Sequence, residues 1–249
     1  MVYVPLDIST STADKPVNQP EPSPFDPYAL DQDSCNQSWT PPVNSTIQQV
    51  LHQTDELGKF TQTWYQSSCA ILFETSDGHR HIVGSGTLTQ ENTVTTSRHV
   101  FENGKGNYFC RFYHYQTHSV DYIDRSITDK DVAPDGQDSA DVILENLDLK
   151  QFNTYCKVIN KQSNDQPPCG QVVMFHFAGG NHQVAVGTFN AVAQLFQFQH
   201  DICIKGGQGA SGANVLIQQL DGTVTSLGLD AAAIDTNDNK AVVLHLDSN

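Results

Sequence analysis

Short strand-like segments separated by turn signals fill the sequence from Ser68 to Leu246. The segments either alternate apolar and polar residues or form brief apolar runs. Between them, dipeptides such as Asp77-Gly78 and Asp221-Gly222 are typical of tight hairpin turns. About eleven such segments with little helix between them predict an all-β fold, and this number suits two packed β-barrels.

The N-terminal part of the chain differs in composition from the rest. Residues 1–43 are rich in Pro, Asp, Ser, Thr and Asn, which bury little apolar surface. We therefore expect an extended or disordered arm over 1–43 and a folded domain over 44–249. A short helix is predicted from Ser45 to Leu57, because its apolar residues recur at helical spacing and Ser45 can cap it.

A glycine-rich loop in the last quarter of the chain carries a serine. Gly209-Ala210-Ser211-Gly212 comes shortly before the apolar segment Val215–Ile217. A nucleophilic hydroxyl has to stand out from a tight turn, beside bare N–H groups that can face a developing oxyanion. Glycine allows the backbone angles that such a turn requires. A plain glycine-rich hairpin loop fits these residues equally well. The choice between a nucleophilic serine and an ordinary loop therefore depends on residues upstream.

Two upstream segments supply the partners that a nucleophilic serine needs: a base and an acid that orients it. His99 follows the alternating, strand-like segment Asn92–Thr96, and Asp141 stands directly before the apolar run Val142–Leu144. Histidine, acid and serine thus follow one another in the chain order of chymotrypsin-like proteases. The other acids that could take the place of Asp141 are Asp131, Asp135 and Asp138, of which Asp138 is the strongest alternative.

With these motifs in this order, the sequence resembles the trypsin/chymotrypsin superfamily over roughly residues 68–246. It looks closest to the compact glutamyl-endopeptidase-like, HtrA-like and viral branches. The resemblance implies a double barrel of two six-stranded type β-barrels. The first, over about 65–150, would supply the histidine and the acid, and the second, over about 165–249, the serine. The linker is expected near 146–164.

The resemblance also implies an activity, that of a serine endopeptidase working through an acyl-enzyme. His99 would be the general base, Asp141 the acid that orients it and Ser211 the nucleophile. The backbone N–H groups of Gly209 and Ser211 would form the oxyanion hole. The peptide substrate would bind as an extended strand.

Several residues depart from the usual family pattern. Arg98 and Val100 flank the histidine where the family usually has Ala and Cys, and Ala210 precedes the serine where the family often has Asp or Asn. Ala213 stands two residues after it, where Gly or Ser is common. These changes keep a second function open, that of a catalytically inactive protease-fold module that binds proteins.

The pocket for the substrate side chain before the cleaved bond, P1, can also be placed by the resemblance. Its walls would include Lys205, Gly206, Gln208, Asp230 and Ala231. A carboxylate at Asp230 would favour a basic P1 residue, whereas Lys205 would oppose it unless the two pair. On this basis we expect a preference for Arg or Lys.

Composition narrows the partners further. Only 16% of the residues are charged and the net charge is −15, which disfavours nucleic acid and anionic membranes as partners. The histidines show no metal-ligand spacing, so we expect neither a metal nor another cofactor. The N-terminus lacks a basic segment and a long apolar core. We therefore expect the protein to be cytosolic, or to be exported by another route, as a secreted effector would be.

The six cysteines leave the disulfide state open. They include no CxxC pair, and Cys69, Cys110 and Cys203 lie in strand-like apolar segments. A free cysteine in such a segment behaves as a small buried hydrophobe. We expect mostly free thiols.

Overall fold

The protein is described here from a computed structural model. The residues described are 29–30, 43–102, 104–132, 138–159, 169–196, 199–203, 208–218, 222–235 and 240–244.

Strands dominate the structure. They are β1 (Ala29–Leu30), β2 (Val43–Thr46), β3 (Ser68–Glu74), β4 (Arg80–Gln90), β5 (Thr93–Thr96), β6 (Asn107–Tyr115), β7 (Val120–Val132), β8 (Ala140–Leu144), β9 (Cys169–His176), β10 (Gln183–Phe196), β11 (Gln199–Cys203), β12 (Asn214–Gln218), β13 (Val224–Asp235) and β14 (Lys240–Leu244). The helices are α1 (Ile47–Val50), α2 (Glu56–Trp64) and α3 (Leu149–Tyr155), and single 3-10 turns span Tyr65–Ser67, Arg98–Phe101 and Ala178–Gly180.

The first six-stranded unit is a closed barrel in the order β3-β4-β5-β8-β7-β6. The second unit is a sheet in the order β1-β9-β12-β13-β14-β11-β10-β2, in which β9 also pairs with β10. That extra pairing joins six of its strands into a second ring, with β1 and β2 attached outside it. The arrangement confirms the predicted all-β, chymotrypsin-like double barrel.

The N-terminal region is more structured than its composition predicts. Ala29–Leu30 pairs with the start of β9, and Val43–Thr46 pairs with β10. The other residues of the predicted arm lie outside the described residues. The single helix predicted over 45–57 is instead two, because Asp55 accepts a hydrogen bond from the Gly58 N–H and so caps a second helix that runs to Trp64.

Alternation along the strands gives the first barrel an apolar interior. Cys69, Cys110 and Cys156 are buried in it as free thiols, as predicted for the first two. The side chains of the other three cysteines lie outside the described residues. Burial is the main cause that raises the pKa of the Cys156 thiol to about 11, so this group is a neutral hydrophobe at neutral pH.

One charged side chain closes the end of that barrel. Arg125 on β7 is only 1% exposed. Its Nε and Nη2 donate hydrogen bonds to the Glu145 carbonyl at 3.1 and 2.7 Å, and its Nη1 donates to the Glu91 carbonyl at 3.1 Å. Arg125 therefore ties β7 to the turn after β4 and to the chain leaving β8.

Replacing Arg125 should destabilise the protein strongly. Arg125→Met keeps the apolar stem but removes these three charge-assisted hydrogen bonds to the Glu91 and Glu145 carbonyls, so we expect a loss of about 2–4 kcal/mol in the free energy of unfolding. Urea denaturation measures the loss. Lys105→Met, at an exposed position, serves as the control and should change stability by less than about 0.5 kcal/mol. Equal stability of Arg125→Met and wild type would contradict this role.

Candidate active site

The serine loop is held against the first barrel by one buried residue, Ser85 on β4. The Ser85 N–H donates to the Ser211 carbonyl at 2.8 Å, and its hydroxyl donates to the Gly209 carbonyl at 2.7 Å. The same hydroxyl accepts a hydrogen bond from the Phe177 N–H at 3.0 Å. Ser85 thus joins β4 to two parts of the second unit and fixes the loop at the junction.

Close packing explains why glycine follows the serine. Gly212 has a φ of +85°, and a Cβ there would overlap Thr96 Oγ1 and the Ser85 carbonyl. It would also lie 2.7 Å from the Ser97 N. Only glycine fits, so the backbone after Ser211 can lie directly against Thr96, the end of β5, three residues before His99.

His99 lies in the 3-10 turn after β5 and is gripped by one carboxylate. Its Nδ1 lies 2.5 Å from Asp138 Oδ2, and its backbone N–H donates to Asp138 Oδ1 at 2.9 Å. Because an ionised carboxylate only accepts, this contact places the Nδ1 proton between the two residues and leaves Nε2 for other chemistry.

The structure brings Asp138, and not Asp141, to His99, which corrects the choice between these acids made on sequence. Asp141 lies inside β8 opposite Thr95 and accepts a hydrogen bond from Thr95 Oγ1 at 2.7 Å. The strands are antiparallel and Thr96 pairs with Ala140, so the turn after Thr96 faces residues before Ala140. An acid for His99 therefore has to precede the strand rather than lie within it.

The serine loop and the histidine turn meet at one carbonyl group. The Asp230 carbonyl on β13 accepts from the Gly212 N–H at 2.8 Å and from the Ser97 hydroxyl at 3.3 Å. The Asp230 N–H donates to the Ala213 carbonyl at 2.8 Å. Ser211 itself is half-buried, and its hydroxyl makes no hydrogen bond to the residues that the structure describes.

A second acid lies near the same histidine. Asp230 is 5% exposed, and no described residue donates a hydrogen bond to its carboxylate. Burial raises the pKa of this carboxyl to about 6, while the nearby His99 acts to lower it. A buried, unpaired carboxylate is unfavourable unless a cation or a hydrogen-bond donor joins it.

The other residues predicted for the P1 pocket are described only in part. Gln208 is exposed and its carbonyl accepts a hydrogen bond from the Gly179 N–H at 3.0 Å. Ala231 follows Asp230 in β13. Lys205 and Gly206 lie outside the described residues.

Sequence reasoning missed Ser85 and the turn at Ala178–Gly180. The segment Gly84-Ser85-Gly86 carries a weak signal, since small residues in a strand often mark a close backbone approach. A Cβ on Gly84 would indeed lie 3.1 Å from the Ser211 carbonyl.

No group of three or more His, Cys, Asp or Glu side chains placed to hold a metal ion occurs within the described ranges. In the same ranges no helix is both long and apolar enough to cross a membrane.

Comparison with known proteins adds one finding. No protein-family model and no curated protein matches the sequence. Among solved structures, the fold is similar to that of the protease Anisep from Arthrobacter nicotinovorans, with a TM-score of 0.54 and 15% sequence identity. The match covers 72% of this chain and 90% of Anisep. This likeness supports the chymotrypsin-like fold and selects no branch within it.

The buried carboxyl of Asp230 should make the stability of the fold depend on pH. With a pKa of about 6 in the folded chain against about 3.8 when exposed, the folded state binds more protons between pH 4 and 6. The free energy of unfolding therefore falls as the pH rises through that range, because Asp230 has to ionise while it is buried. We expect Asp230→Asn to be more stable than wild type at pH 7.5, by up to about 2–3 kcal/mol, with the difference vanishing near pH 4.

Urea denaturation of both proteins at pH 4 and 7.5 measures this difference. Glu102→Gln, an exposed acid near the same turn, is the matched control and should show no such pH-dependent gain. A constant stability difference across the range would show that Asp230 does not titrate this way.

Proposed function

We propose that the protein is a serine endopeptidase that uses Ser211 as nucleophile, His99 as general base and Asp138 as the acid that orients His99. The double contact of the Asp138 carboxylate with His99 Nδ1 and N–H carries this proposal. It fixes the ring beside the serine loop, with Nε2 available. The protease Anisep, which has a similar fold, adds support at the level of the fold.

The chemistry follows from these positions. His99 Nε2 takes the proton of the Ser211 hydroxyl as its oxygen attacks the substrate carbonyl, and Asp138 stabilises the imidazolium that forms. His99 then gives that proton to the leaving amine, and an acyl-enzyme remains on Ser211. Water, deprotonated by the same histidine, releases the acid product. The Ser211 hydroxyl comes within hydrogen-bond reach of Nε2 when substrate binds, as is common for catalytic contacts that are long in the free enzyme.

Backbone N–H groups of Gly209 and Ser211 would receive the oxyanion. The Gln208 carbonyl is bonded to Gly179, so the N–H of the same trans peptide, which belongs to Gly209, points to the opposite side. Gly209 has a φ of +97°, a conformation that glycine adopts freely.

The alternative function, an inactive binding module, rests on Ala210 and Ala213. Both methyl groups are fully buried among the apolar core residues of the second unit. They therefore point away from the histidine and obstruct nothing at the serine. Their position favours the enzyme over the inactive module.

Covalent labelling of the serine tests the proposal directly. A fluorophosphonate probe should label wild type, and Ser211→Ala should abolish both labelling and peptide hydrolysis. Asp138→Asn should lower kcat by about 10³–10⁴, because the amide cannot hold the correct tautomer or stabilise the imidazolium. Asp141→Asn is the matched control and should retain most activity.

Three results would count against this account. Absence of labelling in a folded wild type would favour the inactive binding module. If Ser211→Ala hydrolysed peptides as fast as wild type, Ser211 would not be the nucleophile. A larger loss in Asp141→Asn than in Asp138→Asn would reverse the assignment of the acid.

The substrate is proposed to be a peptide with Arg or Lys at P1. Asp230 supplies the buried carboxylate for the cation, next to both catalytic loops. Beyond Asp230, β13 pairs with β14 on one edge, and no described strand covers the other. That free edge begins at Ala231, because Leu229 pairs with Asn214 and the Asp230 backbone is bonded to Gly212 and Ala213. From Ala231 onward the edge can pair with an extended substrate.

Asp230→Asn should weaken this preference. The loss of one charge-assisted hydrogen bond corresponds to roughly 1–3 kcal/mol of transition-state binding for basic P1 residues. A peptide library read out as kcat/KM for each P1 residue measures it. Selection of Glu, Gln or bulky apolar P1 residues, unchanged in Asp230→Asn, would exclude the preference.

A further inference from the structure

Two buried histidines lie behind the serine loop and take no part in the proposed chemistry. His176 ends β9 and is fully buried, and His182 precedes β10 and is 7% exposed. Burial lowers the pKa of His176 to about 4 and lowers that of His182 well below its usual range, so both rings are neutral at neutral pH. A neutral imidazole has one protonated nitrogen, which donates, and one bare nitrogen, which accepts. The hydrogen bonds of each ring show which nitrogen carries the proton.

The proton on each ring follows from its neighbours. His176 Nδ1 accepts a hydrogen bond from the Ala178 N–H at 3.2 Å, so its proton is on Nε2. The Ser68 hydroxyl donates to the Tyr65 carbonyl at 2.8 Å, so it can only accept from His182 Nε2, which lies 2.8 Å away. His182 therefore carries its proton on Nε2 and presents a bare Nδ1.

The two remaining nitrogens are complementary. His176 Nε2–H is a buried donor and His182 Nδ1 a buried acceptor, and neither has a partner among the described residues. The rings are close enough for His176 to influence the pKa of His182. Phe177, between them in sequence, stacks on the His182 ring with centroids 4.2 Å apart.

His176 supports the turn that grips the serine loop. The Ala178 N–H is held by His176, and the Ala178 carbonyl accepts from Gln183 Nε2 at 2.8 Å. The next residue, Gly179, donates its N–H to the Gln208 carbonyl. The orientation of the Gln208–Gly209 peptide thus depends on the turn, and the turn depends on the acceptor nitrogen of His176.

We propose that His176 is a positioning residue that holds the Gln208–Gly209 peptide with its N–H directed at the substrate oxyanion. The inference rests on the proposed serine protease function. It assigns His176 an effect on the transition state, because the oxyanion exists only there, and little effect on substrate binding.

Two substitutions at His176 separate an acceptor from a space-filling role. An Asn side chain places its Oδ1 near the position of His Nδ1 and can accept the N–H two residues on, as in an Asx turn, whereas Leu fills a similar volume without an acceptor. We expect His176→Leu to lower kcat about ten- to a thousandfold with little change in KM, and His176→Asn to retain most of kcat. Thermal melting checks that both fold, and His176→Ala replaces the Leu variant if that one does not.

Oxyanion stabilisation can be measured separately from an unspecific loss of activity. For a nitrophenyl ester and its thionoester, wild type should prefer the oxygen ester, and His176→Leu should lose part of that preference. Hydrogen exchange of the Gly179 amide, which needs no turnover, should be faster in His176→Leu than in His176→Asn. Wild-type kcat in His176→Leu, or equal losses and equal exchange in both variants, would overturn the inference. An unlabelled, inactive wild type would instead refute the proposed function, and the exchange rates alone would then decide the positioning role.

Discussion

The site depends first on the hydrogen bonds of Ser85. This single buried side chain, with its own N–H, binds the serine loop at two carbonyls and the segment after β9 at one N–H. The Ser85 hydroxyl donates one hydrogen bond and accepts another, and its side chain is fully buried, where hydrogen bonds are strong. These bonds fix how the two halves of the molecule meet, with the loop of Ser211 on one half beside the turn of His99 on the other.

Around this junction, two carboxylates lie near one histidine in opposite circumstances. Asp138 is partly solvated and shares two hydrogen bonds with His99. Asp230 is buried and without a donor among the described residues, which favours its neutral form. The same residue type thus holds a histidine ring in one place and is buried without a described donor in the other.

The sequence predicted the parts that depend on local chemistry. The Asp77-Gly78 turn joins β3 to β4 with Gly78 at a φ of +82°, and the glycines around Ser211 take the positive φ values that the loop needs. The choice between Asp138 and Asp141 failed because it depends on the register between β5 and β8. Asp141 is paired with Thr95 inside the sheet, so only an acid that precedes the strand can reach His99. Ser85, His176 and Gly179 act through contacts between distant segments, and nothing in their residue types announces those contacts.

The pairing of β2 with β10 has a consequence for how the chain is made. Asn44 lies beside Ala185, so an early segment of the nascent polypeptide finds its place only after most of the chain has left the ribosome. The first barrel, whose strands all lie between Ser68 and Leu144, can close before that point. During synthesis the first barrel can therefore close around His99 and Asp138 before the loop of Ser211 has been made. If Ser211 is the nucleophile, as proposed, a chain at that stage carries no group that could cleave its neighbours.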